Sequence, residues 1–150
     1  MRTLLDAGAD KDLARNVGAN PLYIAAQNGH DAVVRALLDA GADKDLEMND
    51  GVSPLFAACQ HGNARVVRLL IERGANKEPS MHGNGWTPLF VAAWAGKDGV
   101  VDMLLSAGAN STAETTSEHL GIPAGSTPLA VARTQGHAEV VRLLEAHGRA

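Results

Sequence analysis

Residues 16–46 read NVGANPLYIAAQNGHDAVVRALLDAGADKDL, and this stretch contains one complete structural unit. Asn20 is a good helix N-cap, and Pro21 at the first helical position loses nothing by lacking an N–H. Leu22, Ala25 and Ala26 then fall at i, i+3 and i+4, which gives a short helix with a narrow apolar stripe. Gly29 stops that helix as a left-handed C-terminal residue. Val33, Val34, Leu37 and Leu38 share one face of a second helix, closed by Gly41. The polar residues that follow are turn-rich, with Asp50-Gly51 as the clearest turn pair, and they predict an extended finger. One unit therefore reads helix, turn, helix, finger.

The unit recurs. A Pro-Leu pair stands at Pro21, Pro54, Pro88 and Pro128, with spacings of 33, 34 and 40 residues. A glycine precedes each proline by three positions (Gly18, Gly51, Gly85, Gly125), and another follows it by eight (Gly29, Gly62, Gly96, Gly136). A further glycine follows at +20, namely Gly41, Gly74, Gly108 and Gly148. Ser53, Thr87 and Thr127 occupy the capping position of Asn20. The decapeptide LLDAGADKDL appears twice, at 4–13 and 37–46. A two-helix unit cannot bury both of its apolar faces alone, so the period predicts a stack in which neighbours share one continuous core.

The segments NPLYIAAQNGH, SPLFAACQHGN, TPLFVAAWAGK and TPLAVARTQGH, each followed by a Val-Val helix and usually by Gly-Ala-Asp/Asn, resemble ankyrin repeats over essentially the whole chain. The resemblance implies an all-α solenoid of stacked helix-turn-helix units with hairpin-like fingers. It divides a single domain, 1–150, into a half repeat at 1–14 and repeats at 15–47, 48–81, 82–121 and 122–150. An all-α bundle without repeat order is the rival fold, and it leaves the shared register of glycines and prolines unexplained.

Departures from the family pattern are informative. Where the family usually has His after Thr-Pro-Leu, this chain has Tyr23, Phe56, Phe90 and Ala130, which trades a polar tie for packing between repeats. The finger position that is often Asn is Asp12, Asp45, Glu78 and Thr112. In the last unit Arg133 replaces the small stripe residues Ala26, Cys59 and Ala93, while Glu145 replaces Leu38, Ile71 and Leu105. Such polar substitutions suit a terminal cap. Residues 1–7 align with the second half of a second helix, so the expectation is a fragment of a longer array.

Composition narrows the function. Hydrophobic residues make up 45% of the 150 but aromatic ones only 3%, so Ala, Leu and Val must form the core. A formal net charge of −4 with interspersed signs offers no footprint for nucleic acid or anionic membrane. The longest apolar stretches reach about half of a membrane span, and residues 1–14 carry charges that exclude a secretory core. Cys59 is alone, which rules out an intramolecular disulfide and a Cys-based zinc site. An intracellular, cytoplasmic monomer is the expectation.

Enzyme chemistry finds little footing. His30 and His137 occupy the slot after the first helix, where the family uses His for turn packing. Cys59 and His61 stand at i and i+2 of a helix and diverge. Gly83-Asn84-Gly85 and Ala95-Gly96-Lys97 lack the glycines of nucleotide-binding loops. Asn110-Ser111-Thr112 matches a glycosylation acceptor that needs a secretory context. No catalytic residue, cofactor or metal is expected.

Ankyrin-repeat proteins typically bind partner proteins on the concave face, made by finger tips and the exposed side of the first helices. Carried onto this chain, that face offers Gln27 and Asn28, then Asn49, Asp50, Val52, Gln60 and His61, then Asn84, Trp86 and Trp94. Both tryptophans of the protein are in that set, within one repeat. Exposed tryptophans favour interface hot spots, each worth about 2 kcal/mol or more on truncation; alternatively both rings lie on aliphatic neighbours and only stabilise the stack. The finger at 111–124, STAETTSEHLGIPA, is six or seven residues longer than the others, with Gly-to-Gly distances of 10, 11 and 17 along the series. It is placed to wall one side of a groove beside Trp86 and Trp94. The resulting expectation is a protein-interaction module. The alternative is a regulatory or targeting segment of a larger enzyme or channel, with the activity encoded elsewhere.

Overall fold

The computed structural model describes residues 21–47, 51–78 and 83–149. The half repeat at 1–14, the cap Asn20, and the finger residues Asn49 and Asp50 lie outside them. Eight helices are present among the described residues, in four pairs. They are α1 (Pro21–Gln27) with α2 (Asp31–Asp39), α3 (Pro54–His61) with α4 (Ala64–Glu72), α5 (Pro88–Ala95) with α6 (Asp98–Ser106), and α7 (Pro128–Gln135) with α8 (Ala138–Arg149). Within each pair the helices pack on one another. Between pairs, α1, α3, α5 and α7 stack in one row and α2, α4, α6 and α8 in a second, each helix meeting its neighbours along the row.

Local chemistry writes each pair. Ser53 and Thr87 each accept a hydrogen bond on the side-chain oxygen from the backbone N–H three residues on, at Phe56 and Phe90, both at 3.1 Å. Thr127 does the same for Ala130 at 3.2 Å. Proline at the next position starts the helix with its φ already fixed. Each first helix then ends on a left-handed glycine, and the residue beyond it returns its N–H to the helix, as from Lys97 to the Ala92 carbonyl at 2.9 Å. At Gly96 two requirements coincide. Its φ is +74°, and a Cβ there would lie 2.6 Å from the imidazole of His137 in the next pair.

Gly148 departs from the pattern: it stands inside α8, which runs 12 residues where α2, α4 and α6 each run 9. The equivalent glycines Gly41, Gly74 and Gly108 have positive φ and turn the chain out of the second helix.

The core is small and repetitive. Leu22, Leu55 and Leu89, the leucines after the first three of these prolines, are buried with the alanines of α1 and with Ala57, Ala58, Ala92 and Ala93, and Phe56 and Phe90 join them; Leu129 in the last pair is only half-buried. Val34 and Leu37, then Val66, Val67 and Leu70, then Val100, Val101 and Leu104 continue it along the second row. Cys59 sits among them with no exposure, and burial pushes its thiol well above the usual range.

Polar ties join consecutive pairs at the edges. The Asn63 amide donates to the carbonyls of Ala26 and Gln27 at 2.8 and 2.9 Å. His137 Nε2 lies 3.0 Å from the Trp94 carbonyl, in the slot read from sequence as turn packing. At the finger bases, Asp45 accepts from the Asn76 backbone N–H at 2.8 Å, and Glu78 accepts from that of Asn110 at 2.9 Å. Asp45 and Glu78, at the family's Asn position, thus bond forward onto the next finger.

Candidate functional site

The long finger folds back on its own pair. Thr115 is buried and pairs with Ser126 and Gly125 through backbone hydrogen bonds of 2.9 and 2.7 Å, while its hydroxyl donates to the Pro123 carbonyl at 2.9 Å. Two further ties run to the preceding finger: the Thr116 N–H donates to the Asn84 carbonyl at 2.9 Å, and the Ser117 hydroxyl donates to the Gly83 carbonyl. Between these anchors the chain makes a tight hairpin, His119 and Ile122 exchanging both backbone bonds at 3.0 and 2.9 Å. Its central residues Leu120 and Gly121 have φ of +53° and +78°, the signs of a primed hairpin turn. Such turns select Asn, Asp or Gly, and a leucine held there is strained. Leu120 is also 65% exposed.

Ile122 faces the core and His119 meets Trp86 edge to face, with centroids 5.5 Å apart and planes at 87°. Trp86 in turn packs tilted on Phe90 at 4.8 Å and on Trp94 at 5.4 Å. The exposure expected of Trp86 is therefore not found: the ring is only 3% exposed, because the folded-back hairpin covers it. Its indole N–H has no acceptor among the described groups, so burying it carries an uncompensated desolvation cost.

The other expected residues divide. Val52 is buried at the base of its finger, and Asn84 is buried because its Oδ1 accepts from the Trp86 N–H at 3.0 Å; neither is exposed as expected. Trp94 and Gln27 are half-buried, while Asn28, Gln60 and His61 are exposed at the ends of α1 and α3. Trp94, Gln60, Val52 and Trp86 come together around one cleft, with a volume of about 210 Å³, between the first helices and the fingers. Tyr23, Phe56, Val91, His119 and Leu120 complete its lining. Gln27, Asn28, His61 and Asn84 are not part of it.

The long finger does form one wall, as its position in the stack suggested. His119 was not singled out by the sequence. Tyr23 and Phe56 were read only as packing residues. The available signal was positional: Tyr23, Phe56 and Phe90 share the position two after each proline, so stacking places them in register.

Among the described residues no His, Cys, Asp and Glu side chains cluster in a way that would hold a metal ion, and no helix is long and apolar enough to cross a membrane. Two rows of paired helices, with fingers on one side and a cleft between, define a helical-repeat solenoid. A family model of ankyrin repeats, in 3 copies, matches residues 1–48 and 41–115. The chain belongs to the ankyrin repeat family, whose members are generally protein-interaction modules and typically non-catalytic. A comparison with curated proteins returns no match.

Proposed function

We propose that the chain binds a partner protein across the first helices and fingers, with the aromatic cleft as the centre of the interface. One observation carries this reading. Of the five Phe, Trp and Tyr residues in the sequence, four line this single cleft, and the fifth, Phe90, packs on Trp86 behind it. A stack needing only core would distribute large side chains along its length. Here Phe56, Trp86 and Phe90 are buried side by side in the core, and Tyr23 and Trp94 stay half-buried at the opening in front of them.

The strained Leu120 supports the same reading. A leucine kept in a primed turn and largely exposed contributes nothing evident to the fold, whereas beside the cleft it supplies an apolar contact for a bound chain. Gln60 and Trp94 give the polar and aromatic contacts of the opposite wall.

The test is partner capture with Trp94→Ala and Gln60→Arg, both at the accessible rim, with circular dichroism to verify helicity. Captured partners should fall at least tenfold for each variant while helicity is retained. Unchanged capture by both would remove the cleft from the interface. Light scattering over a concentration series separates this from self-association, which would raise the mass of the protein alone.

A further inference from the structure

Resting on that reading, we infer that the hairpin of the long finger is a strap whose tip lifts off Trp86 and admits the bound chain to the indole. Two unfavourable features meet at this one contact, and the same motion relieves both. Leu120 is the single non-glycine residue with positive φ among the described residues, at +53°. That conformation is costly for a leucine in the closed turn, and the cost disappears once the turn is free to relax. The second feature is the Trp86 indole N–H. It is the one buried side-chain donor without an acceptor among the described residues, in a ring that His119 covers edge-on. A lifted tip gives that N–H to water or to a carbonyl of the partner, either of which accepts from it.

The finger is built to hold at one end and to move at the other. At its base, buried Thr115 bonds to Ser126, Gly125 and Pro123, all on the finger's own return strand. Its outer part is tied to the preceding finger by two hydrogen bonds, from the Thr116 N–H to the Asn84 carbonyl and from the Ser117 hydroxyl to the Gly83 carbonyl. Breaking these two leaves every helix and every cap of the stack intact. The burial of Ile122 keeps the closed form dominant, and the open form is the minor state that a bound chain selects. Trp86, His119 and Leu120 all line the cleft, so the motion widens it along its finger wall.

Hydrogen exchange of the indole N–H, followed by NMR on the full chain with no partner present, tests the strap. Trp86 and Trp94 are the only tryptophans, so Trp94→Phe assigns both indole signals. The Trp86 indole should be protected about a hundredfold less than the backbone N–H of Val91, which is buried in α5 and bonded to the Thr87 carbonyl at 3.0 Å. Leu120→Asn, which tolerates positive φ, should slow indole exchange about fivefold by removing strain from the closed turn. Ser117→Ala, which removes one tie, should speed it by a similar factor, about fivefold. Indole protection equal to that of Val91 would overturn the inference, because the ring would then be reached only by global unfolding. Exchange that neither variant moves would overturn it as well. If the exchange test fails while partner capture still depends on Trp94 and Gln60, the interaction surface stands and the hairpin is a fixed wall. If exchange behaves as expected while capture is unmoved, the strap stands and the interface falls.

Discussion

The third helix pair and the last one share a backbone and differ in nearly every side chain that matters. Thr87 and Thr127 cap α5 and α7 with hydrogen bonds of 3.1 and 3.2 Å, and Gly96 and Gly136 end them with φ of +74° and +76°. At matching positions the third pair has Trp86, Phe90, Ala93, Trp94 and Leu105, and the last has Ser126, Ala130, Arg133, Thr134 and Glu145. Ala93 and Leu105 are buried between neighbours. Arg133 and Glu145 instead form an ion pair at 2.6 Å, with side chains 58% and 35% exposed. Capping fixes the shape of a repeat, and its place in the stack fixes what that shape carries. The two substitutions that looked like independent breaks in the sequence pattern are one paired feature, bridging α7 and α8.

The comparison breaks most violently if the chemistry of the last pair is moved inward. Ala93→Arg places a charge with no partner into a contact that has no exposure, and about 3–5 kcal/mol should be lost, measurable as a collapse of the denaturation midpoint. A midpoint close to the parent's would mean the stack is looser than its burial implies.

Next comes Trp86→Ala, expected to cost about 3–5 kcal/mol through the cavity left beneath the long finger, less whatever is recovered by removing the orphaned indole N–H. Its counterpart Ser126→Ala should move stability far less. Comparable losses from the two would show that the hairpin, not the aromatic cluster, holds this region.

The caps sharpen the shared half of the comparison. Thr87→Ala and Thr127→Ala should each cost about 1 kcal/mol in urea unfolding. A clear inequality would contradict the view that the backbone is written identically in both pairs.

Smallest is the ion pair: Arg133→Ala and Glu145→Ala should each change stability by at most about 1 kcal/mol, since solvent screens most of the attraction. A double-mutant cycle should return a coupling of the same small size.

Features that were legible in the sequence are those encoded by neighbouring residues. The Ser/Thr-Pro start, the left-handed glycine after the first helix and the glycine after α2, α4 and α6 each act within a turn of chain, so letters alone place them. Gly148 escaped because the +20 spacing says where a turn glycine would stand, not whether the helix there ends. Legible too was the long finger beside the tryptophans, since its length is countable.

The sequence by itself determined the repeat, its caps and turns, its recurring Leu, Val and Ala core positions and hence the family, because all of these follow from local hydrogen bonding and helical periodicity; that Phe56, Trp86 and Phe90 join that core was left to packing. Only the tertiary structure decided the site. Trp86 is buried because His119, 33 positions later, lies across it, and no local rule states where a hairpin will rest. Tyr23, Phe56 and Trp94 line one cleft with His119 and Leu120 because stacking brings equivalent positions of separate units side by side. The cleft therefore exists only once the units have packed.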